Sequence, residues 1–260
     1  MVQQTARTGP TAQTGQAVGS RLAGRIALVT GASRGVGQAV ARRFAAEGAH
    51  VVAVARTVGG LEELDDAIRQ QAAQSGTRDG AGATLVPMDL RQPDALDALG
   101  QALYERFGRL DIVVGNAAVI GVSGPLTHMD VKVFAEVMAV NVTANWRLLR
   151  SVDPLLRQST AGRAIFVTDR ISHDAAPYLG PYAASKQALE AMVRAYAMET
   201  RLTPVKANLI ALGPVATTLR ASFMPGEDQS RLATPDTVSE IFVRMADTAW
   251  TGSGEIVDGT

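Results

Sequence analysis

Short runs of β-branched and other apolar residues alternate with longer segments of helical periodicity from residue 25 to the end of the chain. The short runs lack the regular change between apolar and polar residues that marks a half-exposed strand. Uninterrupted Val and Ile are typical of strands that are covered on both faces. The pattern therefore predicts an α/β fold, a doubly wound parallel sheet with helices on both faces.

The pattern also sets the approximate bounds of each element. The predicted strands are residues 26–30, 50–55, 83–88, 110–114, 164–168, 206–211 and 255–257. The predicted helices are residues 37–48, 61–74, 93–107, 131–158 and 182–201. Gly48 is expected to end the first helix, because glycine favours helix C-termini. No second domain is indicated, so residues 25–260 are predicted to form a single domain.

Residues 1–24 differ from the rest of the chain. They are rich in Gln, Thr, Gly and Ala and have almost no bulky apolar side chain. Such a segment buries too little surface to offset the entropy lost on ordering. We predict that residues 1–24 form a mobile N-terminal tail.

Composition narrows the class of protein. The 25 basic residues balance 25 acidic ones, no cysteine is present, and hydrophobic residues make up 47%. Zero net charge argues against a surface built for nucleic acid or anionic lipid. Without cysteine the chain has no disulfide, thiolate metal site or thiol nucleophile. We expect a cytoplasmic protein without a membrane span or a signal peptide.

A glycine-rich turn follows the first predicted strand and opens the first predicted helix. It reads Thr30-Gly31-Ala32-Ser33-Arg34-Gly35-Val36-Gly37. Glycines allow a tight turn and a close approach of the backbone to a pyrophosphate, which the N-terminus of the helix attracts. The position of the turn favours a dinucleotide site over a plain strand-to-helix connection.

Two arginines are candidates for choosing between dinucleotides. The second strand ends at Ala55-Arg56, where an enzyme that uses NAD usually has an acidic residue for the ribose hydroxyl. Arg56 and Arg34 would instead favour the 2'-phosphate of NADP, with NAD as the less favoured cofactor. The alternative is that both are ordinary surface arginines.

With its remaining motifs, the chain resembles the short-chain dehydrogenase/reductase family from residue 22 to residue 260. The motifs after the glycine turn are Asp89-Leu90, Gly115-Asn116-Ala117-Ala118, Asn141, Tyr182-Ala183-Ala184-Ser185-Lys186 and Leu212-Gly213-Pro214-Val215-Ala216-Thr217. The resemblance implies a Rossmann-type nucleotide-binding fold and an NADP-dependent oxidoreductase. The cofactor contacts that it implies are Gly31, Ser33, Arg34, Gly35, Val36, Gly37, Arg56, Asp89, Leu90, Asn116, Ala117, Tyr182, Lys186, Gly213, Val215 and Thr217.

The spacing of Tyr182 and Lys186 suits acid–base chemistry. Residues four apart share one helix face, so both side chains are expected in the same crevice. An ammonium beside a phenol should lower its pKa toward working pH, and Tyr182 would then protonate a carbonyl oxygen. The resemblance implies that Asn141 orients a water and relays the proton. The alternative for Tyr182 is an aromatic packed in the core.

Asp169 is the main departure from the family, which has a catalytic serine thirteen residues before the tyrosine. An ionised carboxylate only accepts hydrogen bonds, so it would repel an oxyanion and raise the pKa of Tyr182. A protonated Asp169 is the second alternative. Thr168 and Ser172 are weak candidates for a replacement hydroxyl.

The nearby His173 and Asp174 are expected in a surface loop without a catalytic or metal-binding role. Residues 219–236, with Phe223, Met224, Pro225 and Gly226, are expected to form a lid over the substrate. Its apolar side chains indicate an apolar wall and no specific substrate.

Two classes of function remain open. The first is an NADP-dependent oxidoreductase for a small carbonyl or alcohol substrate, with impaired or altered activity because of Asp169. The second is an NADP-binding sensor or partner subunit, favoured by Asp169, Gly115, Ala118 and Leu212. A nucleic-acid-binding role has only the arginine-bearing tail in its favour. The apolar helix at residues 182–201, which the family uses for subunit contacts, predicts a homodimer or homotetramer.

Overall fold

A computed structural model describes residues 21–75, 82–173 and 177–259. Its seven strands are β1 (Ile26–Thr30), β2 (His50–Ala55), β3 (Ala83–Pro87), β4 (Ile112–Gly115), β5 (Arg163–Asp169), β6 (Lys206–Leu212) and β7 (Ile256–Asp258). All pair in parallel, in the order β3-β2-β1-β4-β5-β6-β7. The order reverses between β1 and β4, and a doubly wound sheet binds its ligands at the carboxyl ends of the strands there.

Eight α-helices connect the described strands. They are α1 (Gly35–Ala46), α2 (Val58–Ser75), α3 (Pro93–Phe107), α4 (Val131–Met138), α5 (Ala144–Gln158), α6 (Gly180–Glu199), α7 (Thr218–Phe223) and α8 (Pro235–Ala246). Two apolar clusters cover opposite faces of the sheet, one centred on Phe44 and Phe242 and the other on Phe166 and Leu148. The predicted fold class is therefore confirmed, and the sheet is buried on both sides as the Val- and Ile-rich runs indicated.

Three features differ from the predicted elements. The helix predicted at residues 131–158 contains a π-helical turn, Ala139–Thr143, between α4 and α5. Helices α7 and α8 were not predicted, and α7 lies inside the segment expected to be a lid. The start of α8 carried a usable signal, because Thr234 accepts a hydrogen bond from the Thr237 N–H at 3.1 Å and Pro235 follows it.

Residues 21–24, which the sequence assigns to the N-terminal tail, contact the folded chain. Leu22 is fully buried in the core, and its N–H donates to the Glu47 carbonyl at 3.0 Å. Arg21 forms ion pairs with Glu47 and Glu240. These contacts correct the boundary by placing residues 21–24 with the folded chain, and residues 1–20 lie outside the described part. None of the described helices is long and apolar enough to cross a membrane.

Candidate active site

One cleft at the carboxyl ends of the strands collects nearly all of the predicted site residues. It is lined by the glycine turn, the ends of β2 and β5, the start of α6 and the segment after β6. Only Gly37 and Asn141, among the predicted site residues, are not part of its lining. We call the part around Gly31, Arg34 and Arg56 the glycine-turn half, and the part around Asp169, Tyr182 and Arg220 the tyrosine half.

The glycines of the turn are required by its geometry. Gly31 and Gly35 have φ values of +67° and +58°, which residues other than glycine rarely adopt. A Cβ atom on Gly37 would lie 2.3 Å from the Gly31 carbonyl oxygen, so α1 packs directly against the turn. Helix α1 begins without a side-chain cap and without an acidic residue in its first turn. Its backbone N–H groups are therefore suited to a phosphate.

Arg34 and Arg56 flank the outer end of the glycine-turn half. Both are exposed and line the cleft, and neither forms an ion pair within the described residues. The neighbouring Asp89 is already held by Arg91, whose guanidinium contacts its carboxylate at 2.6 Å. Arg91 lowers the pKa of Asp89 through these hydrogen bonds, and the charge of Arg56 adds to the effect. The two cleft arginines are thus available to an anionic ligand.

Thr30 joins the ends of β1 and β4 below the glycine turn. Its hydroxyl accepts hydrogen bonds from the backbone N–H groups of Asn116 and Ala117, at 3.0 and 3.1 Å. The Asn116 amide donates to the Thr30 carbonyl at 3.0 Å. Asn116 therefore shapes the wall of the cleft through its contacts with the protein backbone.

Gly115 differs from the family pattern for a reason of packing. A Cβ atom at this position would lie 2.3 Å from a ring carbon of Phe166, its register partner on β5. The phenyl ring occupies the space that a longer side chain at residue 115 would need. The glycine at position 115 is therefore explained by the bulky Phe166 beside it, and it does not by itself indicate that the nucleotide site has been lost.

Tyr182, Lys186 and Asp169 meet in the tyrosine half. Tyr182 and Lys186 lie one turn apart on α6 and are only 7% and 3% exposed. The Tyr182 hydroxyl donates to Asp169 Oδ2 at 3.0 Å, and the Ile171 N–H donates to Asp169 Oδ1 at 3.0 Å. The Lys186 ammonium donates to the Val167 carbonyl at 2.8 Å. Asp169 thus stands beside the phenol, as the thirteen-residue spacing predicted.

The electrostatics of this group correct one expectation. Burial raises the pKa of Tyr182 well above its usual value, and the charge and hydrogen bond of Asp169 raise it further. The charge of Arg220 acts to lower it, but the net shift is upward, so the expectation that the pKa of Tyr182 falls toward working pH was wrong. Burial also lowers the pKa of Lys186 to about 8, against the opposing charges of Asp169 and Glu190. Tyr182 is therefore held as a neutral hydrogen-bond donor.

The two weak candidates for a replacement hydroxyl point away from Tyr182. The Thr168 hydroxyl donates to Glu190 at 2.5 Å, because adjacent strand residues face opposite ways. The Ser172 hydroxyl contacts Glu190 at 2.7 Å and the Asp169 carbonyl at 2.7 Å. Both hydroxyls are occupied by these contacts, so neither serves as a donor beside the phenol.

Glu190 was missed by the sequence analysis. It is 1% exposed and lies behind Asp169, where it fixes the turn that follows β5 through Thr168 and Ser172. The spacing of residues 182, 186 and 190 places all three on one face of α6, which is the signal that could have found it. His173 Nε2 lies 3.2 Å from the second oxygen of Glu190, and this histidine is half exposed, as expected for a surface loop. Asp174 lies outside the described residues.

Asn141 lies in the π-helical turn and is fully buried. Its amide accepts from the Val119 N–H at 2.9 Å and donates to the Val119 carbonyl at 2.8 Å. It also donates to the Ser185 hydroxyl at 2.9 Å. These contacts hold the strand-end segment that lines the cleft. A π-helical turn at such a position is typical of functional sites.

The lid segment brings a charge that the sequence analysis did not single out. Leu219, Arg220 and Phe223 on α7 line the tyrosine half, which confirms an apolar wall but adds a guanidinium. Arg220 forms an ion pair with Glu227 at 2.6 Å, and its positive charge interacts with Asp169 and Tyr182. Met224, Pro225 and Gly226 do not line the cleft. No group of metal-ligating side chains is found among the described residues.

Comparisons with known proteins agree with this geometry. The family model for short chain dehydrogenases matches residues 25–228. The oxidoreductase YciK of Escherichia coli K12 is 32% identical over 221 residues, which cover 84% of each chain. A short chain dehydrogenase of Shigella flexneri, solved with NADP, superposes with a TM-score of 0.86 at 30% identity, covering 92% of this chain and 98% of that one. Another from Escherichia coli CFT073, solved with NADPH, gives a TM-score of 0.85 at 30% identity and covers 93% and 98%.

Proposed function

Because the chain belongs to the short-chain dehydrogenase/reductase family of oxidoreductases, we propose that it is NADP(H)-dependent and acts on a small carbonyl or alcohol substrate. The observation that carries this proposal is the position of Tyr182. Its hydroxyl opens into the same cleft as a glycine turn that is built to approach a phosphate. A proton donor and a dinucleotide site therefore share one crevice.

The residues of the glycine-turn half fit NADP. The turn and the start of α1 would hold the pyrophosphate, and Arg34 and Arg56 would hold the 2'-phosphate. Two solved relatives were obtained with NADP and NADPH. When bound, the nicotinamide supplies or accepts the hydride. Asp89, Leu90, Asn116, Gly213, Val215 and Thr217 would complete the cofactor contacts.

The chain's own residues supply the proton. In carbonyl reduction, Tyr182 donates its hydroxyl proton to the substrate oxygen as the carbon accepts the hydride, and in alcohol oxidation it accepts that proton. Its raised pKa keeps the proton on the phenol at neutral pH. Lys186 holds a positive charge in the same buried space below pH about 8.

Asp169 sets this enzyme apart from a standard carbonyl reductase. Its carboxylate accepts a hydrogen bond from the Tyr182 hydroxyl at 3.0 Å. The substrate oxygen needs this same hydroxyl as its proton donor. It also repels the negative charge that develops on a reduced carbonyl oxygen. We therefore expect slow turnover of simple ketones.

A second candidate function follows from the same contact. A protein whose proton donor is already bonded to a carboxylate would suit a sensor or a partner subunit that binds NADP with little turnover. The intact arrangement of Tyr182 and Lys186 favours the enzyme, because a pure sensor has no physical need for a buried phenol–lysine pair.

A homodimer or homotetramer remains part of the proposal. The outer face of α6 exposes or half-exposes a row of small and apolar side chains at helical spacing: Ala184, Ala188, Ala191, Ala195 and Met198. Such a row suits the close approach of a helix from another subunit. Light scattering at micromolar concentration tests it, and a monomer would refute it.

The proposed function is tested by pairing cofactor binding with turnover. Thermal shift with NADPH and NADH measures binding, since a ligand of the native state raises the Tm. Oxidation of NADPH across aldehydes, ketones and diketones measures turnover. We expect NADPH binding and turnover of at least one carbonyl class. Binding without any turnover would favour the sensor, and no binding of either cofactor would contradict both functions.

A further inference from the structure

The described contacts of Asp169 leave part of its carboxylate open to the cleft. An ionised carboxylate has about four acceptor positions. Two are taken by the Ile171 N–H and the Tyr182 hydroxyl, both at 3.0 Å. The residue is partly exposed and lines the tyrosine half. The open side of Asp169 therefore offers a hydrogen-bond acceptor to a substrate in this half. A plain ketone has no donor to pair with it.

Two cations, Lys186 and Arg220, interact electrostatically with the carboxylate of Asp169. The negative charge of Asp169 acts to raise the pKa of both Lys186 and Arg220, so both cations attract it. Lys186 is buried on α6 and Arg220 lies on the lid helix α7, on two different elements of the cleft. Glu190, which lies behind the turn, bonds to Thr168 and Ser172 and does not reach the open side of Asp169 in the described contacts.

Binding of a substrate must also free the Tyr182 hydroxyl. That hydroxyl donates to Asp169 Oδ2, so a carbonyl oxygen obtains the proton only when the bond to Asp169 breaks. A simple ketone leaves Asp169 Oδ2 without the donor that Tyr182 supplied, and the loss of this hydrogen bond costs free energy. A hydroxyl on the carbon next to the carbonyl replaces the lost donor.

From this exchange we infer that the substrate is an α-hydroxycarbonyl compound, reduced to a vicinal diol, or the same diol oxidised in reverse. The inference rests on the proposed function. The two oxygens of such a substrate lie on neighbouring carbons, as Tyr182 and Asp169 lie side by side. The carbonyl oxygen accepts from Tyr182 while the α-hydroxyl donates to Asp169.

The atoms and electrons balance in this step. The carbonyl carbon gains a hydride from NADPH, and the electron pair of the C=O π bond moves to oxygen, which takes the Tyr182 proton. NADPH is oxidised to NADP⁺ and the ketone is reduced to the alcohol. Solvent returns a proton to Tyr182. The α-hydroxyl is unchanged and serves only in binding and orientation.

The test compares matched substrates with and without the hydrogen-bond donor. The pair is 3-hydroxybutan-2-one and 3-methoxybutan-2-one, because the methoxy group keeps the electron withdrawal and removes the donor. We expect kcat/KM to be about 10- to 100-fold higher for the hydroxyketone, the range of one charge-assisted hydrogen bond. In Asp169→Ser the preference should fall to within about threefold. Asp169→Leu removes every side-chain acceptor at a similar size and serves if the serine variant misfolds.

Asp97→Ser is the matched control. This aspartate is exposed on α3 and does not line the cleft, so the preference should be unchanged. A second readout needs no turnover. NADPH and butane-2,3-diol are both reduced and form a dead-end complex, which should raise the Tm of the natural protein more than 3-methoxybutan-2-ol does. The difference should vanish in Asp169→Ser.

The outcomes separate this inference from the proposed function. Turnover of carbonyl compounds with no preference for the α-hydroxyl overturns the substrate class and leaves the oxidoreductase standing. If NADPH binds but nothing turns over, the dead-end complex decides: selective stabilisation by the diol supports the class, and equal effects overturn it. Absence of NADPH binding overturns both proposals together.

Discussion

The two halves of the cleft hold their charges in different ways. In the glycine-turn half, Arg34 and Arg56 are exposed to solvent and have no described ionic partner. In the tyrosine half, Tyr182 and Lys186 are buried, as is Glu190 behind it, and each of the three has a described hydrogen-bond partner. Exposed charges stay hydrated, so they carry little desolvation cost and are available to a ligand. Buried charges lose their hydration and must be compensated by partners within the protein. One substitution in the buried half therefore changes several contacts at once.

The difference also suggests a division of specificity under the proposed function. The glycine turn depends on backbone shape, and we expect its Cβ-free positions to accept the pyrophosphate of either dinucleotide. We expect the choice between NADP and NAD to depend on the two arginines at its rim. In the tyrosine half, Asp169 is bonded to the Tyr182 hydroxyl, so under the proposed function we expect catalysis and substrate choice to depend on the same side chain.

The largest expected effect comes from removing the proton donor. Tyr182→Phe should lower kcat for carbonyl reduction by about 10²- to 10⁴-fold, the usual contribution of a positioned general acid. NADPH binding, measured by thermal shift, should stay near that of the natural protein, because the glycine-turn half is untouched. Unchanged kcat would mean that another group supplies the proton.

The second prediction replaces the carboxylate. Asp169→Ser should raise kcat for a simple ketone by up to about 10²- to 10³-fold, since it removes a repulsive charge and adds a donor for the oxyanion. Made in the Tyr182→Phe background, the same change should give no gain. Slower turnover of the best substrate by Asp169→Ser would show that the carboxylate has a positive role in the reaction.

The third prediction concerns the exposed half. Arg56→Asp should weaken NADPH binding by about 10- to 100-fold, through loss of a charge-assisted hydrogen bond, and shift preference toward NADH. Arg244→Asp is the control, because Arg244 is exposed on α8 and does not line the cleft. Titration of both cofactors measures the change. Equal affinity of the natural protein for NADPH and NADH would exclude a role for the arginines in cofactor choice.

The same contrast explains what could be predicted from the sequence. The strands and the glycine turn follow from local features, namely runs of Val and Ile and glycines whose φ is positive. Tyr182 and Lys186 follow from helical spacing. The direction of the Tyr182 pKa does not, because the largest cause of its rise is burial, which helical spacing does not reveal. The role of Glu190 was likewise hidden, since its partners Thr168 and Ser172 come from another element.

The smallest expected effect tests the cost of burying Lys186. Its folded pKa is about 8, below the ordinary value of 10.5. Between these values the unfolded chain binds more protons, so this residue makes stability rise as pH increases from about 8. Below about 8 the ammonium is charged in both states, and the cost of burial is fully present. Tyr182 and Tyr196, whose pKa values are raised, oppose this trend only as pH approaches about 10, where unfolded tyrosine ionises.

Lys186→Met isolates this contribution. Raising the pH from 7.5 to 9.5 should stabilise the natural protein, relative to the variant, by about 1–2 kcal/mol, or a few degrees in Tm. Thermal unfolding of both proteins at the two pH values measures the difference, and titrating groups that do not interact with Lys186 cancel between them. A parallel response of the two proteins would show that Lys186 keeps its ordinary pKa. Arg34→Met, in the exposed half, should give no such difference, because the Arg34 side chain is exposed to solvent and its removal relieves no burial of charge. The pair of variants therefore tests whether the cost of burying a charge, measured as the pH dependence of the unfolding free energy, differs between the two halves.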